Sequence, residues 1–350
     1  MSRFLSNRLA TLNAYVPGEQ PADMEYIKLN TNESPFSPAP GVISAVTESE
    51  RGKLNLYPNP DGSRLITKIA ELYKLDPENI ILGNGSDELL AFAFLAFFGS
   101  GVVFPDITYG FYPVYAELYD IPYQQIPLKD DFTIDVDDYI AIKKNIVLAN
   151  PNAPTGIALE PGDIERIIKS NPNHIVVIDE AYIDFGGKSV ISLTHNYENL
   201  IVMHTYSKAR SMAGARLAYA TASTPVTDDL KRIKFSFNPY NINRLTQLMG
   251  EAALGEDAYY KEKHTQIIKV RESTKKRLCQ LGFQVTDSSA NFLFAKHPDI
   301  SGAELYLKLK QMGILVRHWN KPRISDHTRI TIGTVEQMDT LISAVREILT

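Results

Sequence analysis

Lysine is usually a surface residue, yet Lys208 stands in HTYSKARSMAGAR (204–216) between Ser207 and Ala209, with Ala213, Gly214 and Ala215 close behind. These small neighbours leave room around an amine. The stretch alone fits two readings: a basic loop, or space kept for something bound to the lysine. IDEAY (178–182) ends an apolar run with two carboxylates and a tyrosine. Ligands of α/β sheets bind beyond the carboxyl ends of strands, so Asp179 is either a functional group or a cap for the next turn. GNGSDELL (83–90) lies where a strand pattern gives way to a helical one. Gly85 permits unusual backbone angles, and Ser86 and Asp87 can cap the helix. The N–H groups of such a turn suit a phosphate, although an ordinary glycine turn also accounts for them. The stretch is neither a Walker A loop nor GxGxxG, so no nucleotide is implied.

The three stretches together say more. An anion cradle, a lysine and an aspartate at strand ends are the groups that pyridoxal phosphate requires. The lysine amine bonds its aldehyde, the carboxylate keeps its ring nitrogen protonated, and the cradle takes its phosphate.

The elements that must position these groups are legible as pattern. Residues 1–40 are rich in Pro and Asn and read as an extended arm. Ser63 is placed to cap a helix with Leu65, Ile66, Ile69, Leu72 and Tyr73 on one face. NIILG (79–83), GVVF (101–104), NIVLAN (145–150), HIVVIDE (174–180) and NLIVMHT (199–205) are short β-branched runs suited to strands buried on both faces. Helical segments lie between them, including 87–98 and 161–170 with Pro161 in its first turn. Such alternation predicts an α/β three-layer sandwich with a mostly parallel central sheet. After about residue 240 the pattern changes. A long helix over 257–281 carries Ile267, Arg271, Thr274 and Leu278 on one face. FQVTDSSANFLFAK (283–296), a helix near 301–312, the strands ILVRHW (314–319) and TRITIG (328–333) and a last helix follow, which reads as a smaller α+β domain.

Composition narrows the function classes. The chain has 350 residues, 44% hydrophobic and 22% charged, enough for one large domain and a smaller companion. A net charge of −5 offers no nucleic-acid or membrane surface. Cys279, the one cysteine, cannot form an internal disulfide and reads as a buried spacer on the long helix. No Cys/His cluster has metal-site spacing, and the seven histidines form no catalytic set, His204 being expected to point inward. The first residues lack an apolar signal core, and the longest apolar run, LLAFAFLAFF (89–98), is about half a bilayer span. These features predict a soluble cytoplasmic protein.

Eight stretches carry a resemblance over nearly the whole chain: LNTNESPFSP (29–38), YPNPDG (57–62), GNGSDELL (83–90), PDITYGFYPVY (105–115), NPNAPTG (150–156), VIDEAYIDF (177–185), TYSKARSMAGAR (205–216) and RITIGT (329–334). In this order and spacing the chain resembles the fold-type I pyridoxal-phosphate aminotransferases, and among them the histidinol-phosphate aminotransferases of histidine biosynthesis. The resemblance implies an arm over 1–40, a large cofactor-binding domain over 41–245, and a small domain over 246–350 to which the arm contributes. It implies that Lys208 bonds the cofactor and shuttles the substrate proton. Asp179 would pair with the ring nitrogen, Tyr182 with the ring oxygen, and Tyr109 with the ring face. Gly85, Ser86, Asp87, Ser207 and Arg216 would hold the phosphate, and Tyr57 would reach in from a second subunit of a homodimer with shared sites. The family usually has Asn immediately before PTG, touching the ring oxygen; here Ala153 stands there, and Asn152 is expected to reach the ring instead.

For the substrate, the resemblance implies that Arg329 takes the glutamate carboxylate, that Arg317 and Arg329 bind the phosphate of histidinol phosphate, and that Tyr15 closes over it. Asn30 and Asn291 are candidate amides lining the site, while Arg323 is expected to be a solvated loop charge. Threonine-phosphate decarboxylation and aromatic amino-acid transamination are the alternatives on the same scaffold. A ligand-sensing regulator is disfavoured by the short arm and the acidic balance.

Overall fold

A computed structural model describes residues 2–350. Its centre is a seven-stranded sheet in the order Ile80–Gly83, Ala218–Thr221, Leu200–Thr205, Val176–Asp179, Asn145–Ala149, Val102–Pro105, Tyr123–Ile126. Every neighbouring pair is parallel except those made by Ala218–Thr221, which runs against both of its neighbours. The fold is therefore α/β with a large, mostly parallel sheet, as the alternation predicts.

The β-branched runs are apolar at every position because both faces of the sheet are covered. Successive side chains of a strand point to opposite faces. Val176, Ile178, Leu200 and Val202 accordingly join the core on one side, and Val177, Ile201 and Met203 the core on the other. Each fully buried side chain of this size contributes about 1.5–3 kcal/mol. Two strands escaped the pattern. Tyr123–Ile126 is an edge strand with three of its four residues exposed, and Ala218–Thr221 has only small or polar residues beside Tyr219.

The second unit is a four-stranded antiparallel sheet in the order Arg317–His318, His327–Thr331, Phe292–Lys296, Gln284–Val285. The helices Asp257–Gln280, Gly302–Gln311 and Val335–Leu349 pack around it. The last begins in a capping box in which Thr334 and Gln337 satisfy each other's backbone N–H. The arm joins this unit: Ile27–Lys28 pairs parallel with Ile314–Leu315, and Leu29 accepts the N–H of Thr331.

Three local expectations fail for physical reasons. The helix Ser63–Tyr73 is preceded by Gly62 in a left-handed conformation, so Ser63 is its first residue rather than its cap, and Leu72 is exposed. ILVRHW splits into two short strands that serve different sheets. Cys279 faces solvent, because on the long helix it falls beside the buried Leu278 rather than beneath it.

Candidate active site

Strand ends of the large sheet, the arm and the small unit meet at one cleft of about 1020 Å³, its mouth included. Ala149, Asp179 and Thr205 come to it from the carboxyl ends of three adjacent strands. The alternation of a strand separates the two carboxylates of IDEAY. Asp179 turns into the cleft, whereas Glu180 turns away and is held by Ser189, the Val190 N–H and His204, whose Nε2 lies 2.6 Å away. His204 thus points inward, as expected. Burial opposes its charging, but the hydrogen bond and charge of Glu180 outweigh that and raise its pKa.

Asp179 is 5% exposed, accepts the Ala181 N–H at 3.2 Å and a long bond from the Tyr112 hydroxyl at 3.4 Å, and has no cationic partner among the described residues. Burial pushes its carboxyl up to about 7, against the lowering effect of the Ala181 N–H. A buried carboxylate facing a cleft without a counter-charge is suited to a cationic ligand atom. Lys208 lies across the same cleft and donates from Nζ to the Thr31 carbonyl at 3.0 Å. Burial pulls its amine down to about 8, and the nearby Arg329 guanidinium adds repulsion. A lysine so perturbed is neutral in part at ordinary pH and can act as nucleophile and base.

The anion cradle is built from helix Ser86–Phe97. Gly85 precedes it with φ +80 and supplies no capping side chain, so the first-turn N–H groups stay open to a ligand. A Cβ at Gly85 would strain the left-handed backbone and push aside the Arg216 guanidinium packed against it. Arg216 is itself left-handed at φ 54 and pairs with Asp87 at 3.0 Å. The other Asp87 oxygen accepts the Tyr109 hydroxyl at 2.7 Å. Ser86 and Ser207 line the same cleft.

The arginine-lined end is formed by the arm and the small sheet. Arg329 lies between Trp319 and Phe292, its guanidinium carbon 5.3 Å from each ring centroid. It donates to the Asn30 carbonyl at 2.9 Å, while its Nε is buried without a partner. Arg317 donates to the carbonyls of Val16 (2.9 Å) and Pro17 (3.0 Å), which holds the arm over the cleft. Tyr15 stacks on Phe111 with ring centroids 4.1 Å apart. Asn30 lines the cleft and donates to Glu19, with its Oδ1 left unpartnered.

Not every expected residue is brought together here. Asn152 does not reach the cleft. Its amide donates to the Ile107 carbonyl and the Thr155 hydroxyl and accepts from the Thr108 hydroxyl, so it is engaged by the segment 107–108 and its own turn, and Ala153 lines the wall instead. Asn291 lies behind the site, donating to the Asn32 carbonyl. Tyr57 is 76% exposed and stacks on Tyr240, away from the cleft of its own chain. Arg323 is not a free loop charge: it pairs with Asp106 at 2.8 Å and donates to the carbonyls of Leu128 and Lys129. Sequence reasoning passed over Thr31, Asn32, Thr205 and Trp319, all of which line the cleft. The stretch LNTNE held the signal for the first two, in consecutive polar residues following a strand.

The residues present fit pyridoxal phosphate. They offer an unpaired buried carboxylate, an amine of depressed basicity, an uncapped helix N-terminus beside an arginine, and a flat wall of Ala149, Ala153 and Ala181. No group of three or more potential ligands for a metal ion occurs among the described residues, and no helix among them is long and apolar enough to cross a membrane.

Comparison with known proteins agrees with this chemistry. The sequence pattern of the family described as aminotransferase class I and II matches residues 24–345. A Brachyspira hyodysenteriae protein named histidinol-phosphate aminotransferase is 49% identical, over 100% of this chain and 99% of its own. The crystal structure of histidinol-phosphate aminotransferase from Sinorhizobium meliloti in complex with pyridoxal-5'-phosphate superposes with a TM-score of 0.86, at 24% identity, covering 93% of this chain and 91% of that one. An L-threonine-O-3-phosphate decarboxylase from Porphyromonas gingivalis superposes with a TM-score of 0.79 at 22% identity, covering 92% and 99%.

Proposed function

The chain belongs to the class I and II aminotransferases, and within them to the histidinol-phosphate aminotransferases. From that premise we propose that it binds pyridoxal phosphate in the cleft and exchanges an amino group between histidinol phosphate and 2-oxoglutarate, giving imidazole-acetol phosphate and glutamate. It is a pyridoxal-phosphate-dependent transaminase serving histidine biosynthesis. The observation that carries the site assignment is the pairing, across one cleft, of a lysine amine lowered to about 8 with an unpaired buried aspartate.

When bound, pyridoxal phosphate supplies an electron sink for the pair left as a proton departs from the substrate carbon. The rest is work for the chain's own residues. Gly85, Ser86, Asp87, Ser207 and Arg216 would hold the cofactor's phosphate, the arginine offering the planar donor fork that suits such a group. Asp179 would keep the ring nitrogen protonated, and the positive charge there would offset the burial that otherwise disfavours its own ionisation. Tyr182 would donate a hydrogen bond to the ring oxygen, and Tyr109 would cover one ring face. Lys208 would hold the cofactor through Nζ and, as a neutral amine, would take the substrate proton at Nζ and return it. Tyr15 and the arm exclude water.

Arg329 and Arg317 bind the substrate's anionic end. The planar fork of Arg329 accepts either a phosphate or the carboxylate of glutamate, which lets one site serve both halves of the reaction. Asn30 adds an unpartnered amide oxygen beside them.

We also place a symmetric homodimer here, in the cytoplasm. Leu54, Leu56, Tyr57 and Phe237 are exposed apolar residues, and Tyr57 stacks on the exposed Tyr240. Burying them against a second copy would bring Tyr57 to the partner's phosphate site.

Decarboxylation of threonine phosphate is not favoured. Its solved representative shares the fold alone, at 22% identity, against 49% for the aminotransferase relative. The test is an assay of the purified holoenzyme with histidinol phosphate and 2-oxoglutarate. Glutamate should form in step with loss of histidinol phosphate. Carbon dioxide release from threonine phosphate, with no glutamate formed, would overturn the assignment.

A further inference from the structure

We propose that Asn32 is a positioning residue for Tyr182: its side-chain amide donates to the tyrosine oxygen and so directs the tyrosine's own proton into the cleft. The inference rests on the cofactor reading above, since the cofactor's ring oxygen would receive that proton.

The geometry fixes each step. Asn32 is 1% exposed, lines the cleft, and places Nδ2 2.9 Å from the Tyr182 hydroxyl oxygen. Which end of the amide faces the tyrosine is settled by Thr331, itself 2% exposed. The Thr331 hydroxyl accepts the Asn32 backbone N–H at 3.0 Å and lies 3.0 Å from Asn32 Oδ1. Oδ1 is the one acceptor its proton finds among the described residues. A flipped amide would leave that buried proton unsatisfied, which burial penalises. The backbone is held as firmly. The Asn32 carbonyl accepts from Asn291 at 3.0 Å, and φ is 55, a conformation that asparagine tolerates better than most residues. Every polar group of Asn32 is therefore engaged, and its N–H is presented to one atom.

Tyr182 has one proton to give. Among the described residues its hydroxyl accepts from Asn32 and finds no acceptor of its own. With the Asn32 amide occupying a lone pair, the Tyr182 proton can be satisfied only by what the cleft holds. An amide donating to that oxygen also makes the hydroxyl a stronger donor. The charged and titratable groups facing Tyr182 are Arg329 from the small sheet, Asp179 from the strand end and Tyr15 from the arm, with Lys208 in the same cleft. Arg329 favours negative charge at the tyrosine oxygen, whereas Asp179 opposes it.

The pH at which the holoenzyme's visible absorbance band titrates reads this donor directly, because the band depends on how well the ring oxygen is stabilised as an anion. Asn32→Gly keeps the left-handed backbone and removes the amide. Asn32→Asp keeps shape and backbone but replaces the donor with an acceptor. The midpoint should rise by about 0.5–1 pH unit in the glycine variant and further in the aspartate variant. In a Tyr182→Phe background Asn32→Gly should add no further shift. Should Asn32→Gly fail to fold or to hold cofactor, Asn32→Ser serves, its hydroxyl being too short to reach the tyrosine, with the same shift expected. Unmoved midpoints, equal shifts in the glycine and aspartate variants, or a full shift persisting without the Tyr182 hydroxyl would each overturn the proposal. A wild-type protein that takes up no cofactor overturns the functional reading and this one with it. A normal band and normal transamination with unmoved midpoints overturn this one alone.

Discussion

The Lys208 amine lies 3.0 Å from the carbonyl oxygen of Thr31, a residue 177 positions earlier in the chain. Thr31 stands between two residues that do the same for other groups: the Asn30 carbonyl receives Arg329, and the Asn32 amide reaches Tyr182. Three consecutive residues of the arm thus fix three groups of the cleft. Leu29, buried just before them and bonded through its backbone to Leu315 and Thr331, ties this tripeptide to the small unit. The register of one short segment therefore sets the separation of the Lys208 amine, the Tyr182 phenol and the Arg329 guanidinium.

The buried amine carries a stability cost in the cofactor-free protein, and its sign is definite. Lys208 has a folded pKa of about 8 against 10.5 when exposed. The unfolded chain binds the extra proton between those values, so the cost is full below about pH 8 and fades as pH rises toward 10.5. Lys208→Met should raise the melting temperature of the apoprotein by several degrees at neutral pH and by progressively less toward pH 10, as followed by circular dichroism. A gain that is the same at every pH would show that packing, not charge, is responsible.

Asp179 acts in the opposite pH direction. Its carboxyl, ordinarily near 3.8, is raised to about 7 by burial, so the apoprotein loses stability as pH climbs through that interval. Asp179→Asn should flatten this part of the stability profile. The same variant should still take up cofactor, while transamination slows by roughly 100-fold or more, because the charge that holds the ring nitrogen protonated is gone. Stopped-flow measurement of the first half-reaction separates the two effects, and a rate within about twofold of wild type would exclude Asp179 from this role.

Gly85 and Arg216 should behave as one unit. An alanine at Gly85 strains a backbone at φ +80 and displaces the Arg216 guanidinium packed against it. Gly85→Ala and Arg216→Lys should each weaken cofactor binding by about 10-fold or more, and the double variant should lose far less than the product of the two. Equilibrium dialysis against pyridoxal phosphate measures all three. Full additivity would mean that the two residues hold different parts of the ligand.

Much of this was legible in the sequence. Asp179 and Lys208 could be placed because buried parallel strands announce themselves as unbroken β-branched runs, and their carboxyl ends mark where ligands bind. What pattern could not reveal was the direction of single side chains in irregular backbone. The Asn152 amide is claimed by the carbonyl of Ile107, from a distant segment, and by the Thr155 hydroxyl, so proximity in sequence to the expected position does not bring it to the cleft. Asn32 is distant in sequence from the residue it serves, and only folding brings the two together. Arg323 looked like a loop charge because its partners, Asp106 and the carbonyls of Leu128 and Lys129, lie about 200 residues away in the other unit.

The most direct test of the central claim is to reduce the purified holoenzyme with borohydride, digest it, and locate the added pyridoxyl mass by mass spectrometry. The mass should fall on the peptide containing Lys208 and disappear in Lys208→Ala. Finding it on another lysine, or on none, would contradict the account.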